Sequence, residues 1–396
     1  MRPLALTAFT ATSCIGRGLE ATYAALAAQR SGLARCAFET VTLDTAVGEV
    51  EGLDAAVLPA ELAQFECRNN RLALLGLAQD GFADAVRGCV DRYGVTRVGV
   101  WLGTSTSGIL ETEIAYRHRG PAGELPATFR YRGAHNTFSL AAFVRRVLGV
   151  AGPAAVISSA CSSSAKVFAS ARRAIEARLV DAAVVGGVDS LCLTTLYGFH
   201  SLQLVARTPC RPFDAARDGI SIGEAAAFAL LERVPESCDR ETVLLLGTGE
   251  SSDAYHMSAP HPQGRGARAA MLAALTDATL QPADLDYINF HGTGTPGNDA
   301  AEAVAVAATF GARVPGSSTK GATGHTLGAA GALEAVICGL ALRHSLMPAG
   351  VNTVQVDPTL EVQYLQENRR APLRHVISNS FGFGGSNCSL IFGRAG

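Results

Sequence analysis

Seven short runs of small and β-branched apolar residues recur along the chain, and none alternates apolar with polar. They are RVGVWLG (97–103), AAVISSA (154–160), DAAVVGGV (181–188), TVLLLGTG (242–249), LDYINFHG (285–292), HVISNS (375–380) and NCSLIFG (387–393). A strand covered on one face would show a period of two, so these runs read as strands buried on both faces. Helical stretches separate them, at 68–87, 163–179, 266–279, 299–309 and 328–343. The pattern predicts an α/β fold.

A weak internal echo runs through this alternation. In each half a run of small residues opens a helix: ACSSSAKVFASARRAIEA near 160 and TGHTLGAAGALEAVICGLAL near 323. A glycine-containing strand and loop follow each helix, VVGGVDSLC and NSFGFGGSNCSL. Two related halves joined near LERVPESCDRE (231–241) would account for this, and shared composition without duplication is the competing reading.

Composition narrows the function classes. With 396 residues, 48% hydrophobic and 17% charged, the chain can bury a large core as two domains or one large α/β unit. A formal net charge of −2 argues against a nucleic-acid binder or a polybasic membrane protein. No uninterrupted apolar run reaches the roughly 18 residues of a membrane span. The opening MRPLALTAFTATSCIGRG reads as strand then glycine loop rather than a secretory leader, so a cytoplasmic location is expected. The 10 cysteines lie singly, with no CxxC pair, so neither a metal site nor a disulfide framework is expected. Of 33 Lys plus Arg, only Lys166 and Lys320 are lysines. A lysine that persists in such a background suits a compact ammonium in a tight polar site. For Lys166 we keep the plainer reading of chance.

Cys161 sits between the strand-like AAVIS and a helix on whose face Phe168, Arg172, Ile175 and Leu179 recur. Unpaired amides and the dipole at a helix start stabilise a thiolate and lower its pKa. The flanking Ala and Ser residues would leave room for a substrate. A small buried core cysteine is the alternative.

His291 ends a strand and enters the loop Gly292–Thr295, where α/β proteins place their sites. The threonine hydroxyls suit ligand contacts, and Asn298 or Asp299 is a fair N-cap for the helix that follows. Lys320, His325 and Glu334 are the polar outliers of SSTKGATGHTLGAAGALEAV (317–336). STKGATGH has no period and reads as a loop, whereas Glu334 falls inside an apolar helix and needs a partner. NSFGFGGSN (379–387) is glycine-rich, and its amides could form an oxyanion hole. A nucleophile, two histidines, a lysine and an amide-rich loop together suit covalent acyl chemistry. The chain carries no GxxxxGK[ST] phosphate loop.

These motifs, with RPFDAARDG (211–219) and SSDAYHM (251–257), resemble the elongating β-ketoacyl-acyl carrier protein synthases of the thiolase superfamily over essentially the whole chain. The resemblance implies a thiolase-like α/β fold of two pseudo-duplicated βαβαβ halves in a layered αβαβα arrangement. Residues 1–237 would carry the nucleophile and 238–396 the histidines. It implies that Cys161 accepts the acyl chain, that His291 and His325 complete a Cys-His-His triad, and that Lys320 and Glu334 support them. Phe383, between Gly382 and Gly384, would gate the site, and its N–H would share the oxyanion hole with that of Cys161. Thr293 and Thr295 would contact the carrier's pantetheine arm, and Asp253 and His256 would belong to a loop moving with the gate.

The implied reaction joins an acyl-enzyme to malonyl-acyl carrier protein with loss of carbon dioxide, giving a 3-oxoacyl chain. It needs no cofactor and no metal. The implied partners are the acyl and malonyl carrier proteins, with a homodimer or a heterodimer of related subunits, and neither nucleic acid nor a membrane span. Arg68 and Arg71, with Arg130, Arg132 and Arg207, are the candidates for docking an acidic carrier. Two departures bear on substrate: only Thr208 and Pro209 join SLQLVAR to CRPFD, and Thr106 stands near a position that sets acyl-pocket depth. They favour a secondary pathway, such as an aryl polyene or another polyketide. A thioester hydrolase and a mainly structural partner subunit are the competing functions.

Overall fold

The computed structural model describes residues 2–236 and 238–395, and its main feature is a twelve-stranded mixed sheet. Eleven of its strands are β1 (Leu4–Ser13), β2 (Val98–Gly103), β3 (Ala154–Ile157), β4 (Ala182–Asp189), β5 (Ala225–Arg233), β6 (Val243–Ser252), β7 (Tyr287–Asn289), β8 (Pro315–Ser317), β9 (Gln363–Tyr364), β10 (His375–Gly382) and β11 (Ser386–Arg394). Gly16–Arg17 folds back on the end of β1 as the twelfth. The order is β9-β8-β7-β10-β11-β6-β1-β5-β4-β2-β3. Every residue of β2 and β4 is buried, which fits their unbroken apolar runs.

The pairing shows the duplication directly. In the first half β3, β2 and β4 are parallel, β5 is antiparallel to β4, and β1 is antiparallel to β5. In the second half β8, β7 and β10 are parallel, β11 is antiparallel to β10, and β6 is antiparallel to β11. The halves join where Leu4–Leu6 of β1 pair with Val243–Leu245 of β6. The boundary expected at residue 237 falls on Ser237, which lies outside the described residues.

The principal helices are α1 (Arg68–Leu77), α2 (Phe82–Tyr93), α3 (Phe138–Leu148), α4 (Ser163–Glu176), α5 (Arg265–Ala278), α6 (Pro296–Phe310) and α7 (Ala330–His344). α4 follows β3, and α7 follows β8 after the short turns Lys320–Thr323 and Leu327–Ala329, so they hold equivalent places. These two helices fill the layer between the half-sheets, sharing one apolar core. α1, α2 and α3 cover the outer face of the first half, and α5 and α6 that of the second, each over its own core. The result is a five-layered α/β thiolase-like fold.

The small-residue runs have a packing cause. A Cβ added to Gly331 of α7 would lie 2.6 Å from the Ala165 nitrogen of α4, and one on Gly103 2.4 Å from the Ser164 nitrogen. Ser162, Ser163 and Ser164 are fully buried. The serines after Cys161 therefore let helix, helix and strand approach closely, rather than opening space for a substrate. The apolar segment Leu327–His344 is long and apolar enough to cross a membrane, but 89% of it is buried inside the protein, as suits a core helix. All ten cysteines are free thiols.

Several local expectations need correction. The helix expected over 68–87 breaks in two, because Asp80 and Gly81 both adopt left-handed conformations, φ 54° and 65°. β5, the alanine-rich AAAFALLER, lacks the β-branched residues that signal a strand. α6 is capped at Thr295 with proline in its first turn, not at Asn298 or Asp299.

Arg68 is not a docking residue. It is 2% exposed and grips Glu224 through two bonds, Nε at 2.9 Å and Nη2 at 2.7 Å. It also pairs with Glu49 and Asp54 and lies 5.0 Å from the Phe38 ring centroid. Glu224 in turn accepts the N–H groups of Val50 and Leu191, so the pair ties three segments together. Arg71 is 21% exposed, and Glu66 at 3.1 Å neutralises it. Arg68→Ala is expected to cost about 3–5 kcal/mol, because it leaves Glu224 buried and unpaired. A lowered urea midpoint at unchanged slope would show it, and a loss below about 1 kcal/mol, the scale of a surface pair, would contradict it.

Candidate active site

The carboxyl ends of the parallel strands converge on one cavity of ≈ 180 Å³, and Cys161, His291, His325, Phe381, Gly382 and Phe383 line its inner part. Cys161 comes four residues after β3 and two before α4. The turn between them is tight. Ala160 adopts φ 52°, its carbonyl accepts the Ser163 N–H at 3.1 Å, and Ser159 N–H bonds the Ser163 hydroxyl. A left-handed alanine costs about 1–2 kcal/mol, and here that turn presents Sγ to the cavity.

His291 follows β7. Glu302 of α6 accepts the His291 and Gly292 N–H groups at 2.8 and 2.7 Å, fixing the loop. Asp299 accepts those of Phe213, Thr293 and Gly294. Lys320 and His325 follow β8. Lys320 is fully buried, and its ammonium bonds the His291 carbonyl at 2.6 Å, the Glu334 carboxylate, and His291 Nδ1 at 3.4 Å. Residues 318–325, expected as plain loop, contain one helical turn, Lys320–Thr323. The backbone of His325 is pinned to Ser221 and Gly223.

The two imidazoles have defined tautomers. The ammonium of Lys320 only donates, so His291 Nδ1 accepts and Nε2 carries the hydrogen. Leu327 N–H donates to His325 Nδ1 at 3.3 Å, so His325 Nε2 also carries its hydrogen. That Nε2 lies 3.0 Å from Cys161 Sγ. The cysteine sulfur and one ring nitrogen from each histidine lie within 4.8 Å of one another. Burial, helped by the Lys320 charge, holds both histidines well below the ordinary imidazole pKa. The site therefore offers two neutral N–H donors beside one sulfur.

The electrostatics of Cys161 differ from the sequence expectation. Burial pushes its thiol up to about 11, while the Lys320 charge and the Phe383 N–H pull it down. A helix start lowers a thiol pKa when water reaches it, but here desolvation of the charged form is larger. Burial likewise lifts Glu334 to about 7, against the pull of Lys320.

The glycine loop closes the other wall. A Cβ on Gly382 would come within 2.9 Å of the Ser159 carbonyl. Gly384 adopts φ 78° and bonds the Met257 carbonyl at 2.8 Å. The Phe383 ring rests 5.5 Å from that of Phe199. Asp253 lines the cavity and is tied to Gly385, Asn387 and His261. His256 is exposed and lies on the same loop but outside the cavity lining. Thr293 and Thr295 line the channel and share a 2.9 Å hydroxyl bond. Thr106 does not line the cavity; it is buried and bonds Asp189 at 3.0 Å. Sequence reasoning missed Asp189, Glu302 and Phe199. Acids at the end of an apolar strand (GGVDSLC) and in an alanine-rich helix (DAAEA) were the available signals for the first two.

Residues 1–237 match the model of the "Beta-ketoacyl synthase, N-terminal domain" and residues 243–354 that of the "Beta-ketoacyl synthase, C-terminal domain". The chain is 32% identical over 309 residues to a 3-oxoacyl-[acyl-carrier-protein] synthase 2 of Staphylococcus aureus, covering 75% of this chain and 77% of the relative. It is similar to a chain from the complex of a ketosynthase with its chain length factor from Xenorhabdus doucetiae (38% identity, TM-score 0.89, 100% of this chain and 98% of that one). It is also similar to a beta-ketoacyl synthase from Burkholderia phymatum (30% identity, TM-score 0.88, all of both chains).

Proposed function

The chain belongs to the beta-ketoacyl synthase family, transferases of the 3-oxoacyl-[acyl-carrier-protein] synthase kind that lengthen fatty acid or type II polyketide chains, and from that premise we propose that Cys161 takes an acyl group from a carrier thioester and passes it to a malonyl-derived carbanion. The observation that carries this reading is Cys161 Sγ with His325 Nε2 at 3.0 Å and a ring nitrogen of His291 within 4.8 Å, both imidazoles neutral.

In the first half-reaction Sγ attacks the acyl thioester. The thiol proton of Cys161 ends on the released carrier thiol. The N–H groups of Cys161 and Phe383 hold the tetrahedral oxyanion, and one such donor is worth about 3 kcal/mol. In the second, the malonyl thioester oxygen lies between the two Nε2–H groups. Carbon dioxide leaves, the enolate charge is held by both donors, and its carbon attacks the acyl-cysteine carbonyl; the C–S bond breaks, and the Cys161 thiolate released takes up a proton from solvent. Neutral imidazoles suit this task, because they donate without protonating the carbanion. Lys320 fixes His291 as a donor and neutralises Glu334. Thr293 and Thr295 line the channel for the pantetheine arm, and Phe383 against Phe199 gates the acyl side.

The carrier would meet the exposed arginines rather than Arg68. Arg130 and Arg132 line one surface groove and Arg207 another. The second subunit, a copy or a related chain, would add to the open edge of β3, whose four residues are all half-buried with no outer neighbour among the described residues. The relative from Xenorhabdus doucetiae, solved with its chain length factor, and the two-residue link at Thr208–Pro209 support a role in a polyketide pathway such as an aryl polyene. Incubation with acyl- and malonyl-carrier proteins tests the reading, alone and with a co-expressed related subunit. A 3-oxoacyl carrier product is expected. Free acid alone would mark a hydrolase, and no product under either condition would mark a structural subunit.

A further inference from the structure

Asp189 ends β4 with its side chain fully buried. One oxygen, Oδ1, accepts the Thr104 hydroxyl and Ser105 N–H at 2.7 Å and the Thr106 N–H and hydroxyl at 3.0 Å. The other, Oδ2, accepts the Ser105 hydroxyl and the Gly328 N–H, the latter at 2.6 Å. A carboxylate with this many donors holds its geometry rigidly. The Gly328 bond matters most. Leu327, one residue earlier, adopts a left-handed φ of 51° that leucine disfavours, and its N–H sets the direction of the His325 ring. Something must hold that turn, and among the described residues no other side chain bonds its next N–H.

We propose that Asp189 is a positioning residue for His325: anchored by residues 104–106 at the end of β2, it takes the Gly328 N–H and so locks the Leu327 turn that aims the His325 Nε2–H at the reaction centre. This rests on the condensation reading above. Asp189 touches neither substrate nor sulfur; it acts through the turn.

Asp189→Asn separates the two roles of the carboxylate. The amide oxygen can replace Oδ1 toward residues 104–106, but the amide nitrogen would face the Gly328 N–H, donor against donor. Gly328→Ala crowds the same contact from the other side, since its Cβ would lie 2.8 Å from Asp189 Oδ2 and from the Ser105 nitrogen and 3.0 Å from the Thr104 carbonyl carbon. Both variants are expected to lose 10- to 100-fold in kcat for malonyl-carrier decarboxylation, with KM within about twofold and acyl loading of Cys161 within about threefold of wild type. Parallel loss of loading and decarboxylation, or no loss in either variant, would overturn the proposal. If wild type itself failed to decarboxylate, the condensation reading would fall instead.

Discussion

Cys161→Ala is expected to lose acyl loading and condensation together, by about 10⁴-fold or more, while the melting temperature changes little. The sulfur lines the cavity and lies 3.0 Å from His325 Nε2, where it can take the chain from one carrier and pass it to the next. A small, buried side chain exchanged for a smaller one leaves a void of less than a methyl group, so a large fall in stability is not expected. Carrier-dependent transfer of a labelled acyl group, followed by gel or mass analysis, measures loading. Loading retained within tenfold would show that another residue accepts the chain. Malonyl decarboxylation should survive in this variant, because both imidazoles remain.

His325→Ala is expected to give the opposite partition. One oxyanion donor removed from a water-excluded site typically costs 10²–10³ in rate, so decarboxylation should fall by about that factor while loading falls much less. The pH dependence follows from the same geometry. Burial and the Lys320 charge keep His291 and His325 neutral well below the ordinary pKa of 6.5. The two imidazoles should therefore add no acid limb to decarboxylation between pH 6 and 7. The stability sign is equally defined: an unfolded histidine protonates as pH falls through about 6.5 and a folded one does not. The contribution is full above that value and is lost progressively as pH falls below it. A rate that halves near pH 6.5 and still does so in Glu334→Gln, which removes the carboxyl lifted to about 7, would mean that a histidine titrates freely, against the buried donor pair.

Much of this site was legible in the chain, because its parts are local. Cys161 at a strand–helix junction, His291 at a strand end and Glu334 inside an apolar helix each stand out from their neighbours. The β-α alternation and the echo between halves likewise needed only short windows. What stayed hidden is set by contacts distant in sequence. Arg68 looked like a surface cation, because Glu224, 156 residues away, does not announce its pairing. The serines after Cys161 looked like space for a substrate until Gly331 of α7 closed on α4. The Cys161 pKa was misjudged for the same reason: helix position is local, but desolvation comes from the whole fold. Asp189 had one polar letter at the end of an apolar strand, and its role depends on Gly328, 139 residues on.

The most direct test is to mix the protein with acyl-carrier protein alone, digest it, and locate the acyl group by peptide mass spectrometry. The account predicts one acyl thioester on the peptide containing Cys161, stable until malonyl-carrier protein is added and then lost as 3-oxoacyl carrier product. An acyl group on any other residue, or one that leaves Cys161 only as free acid when malonyl-carrier protein is supplied, would contradict it.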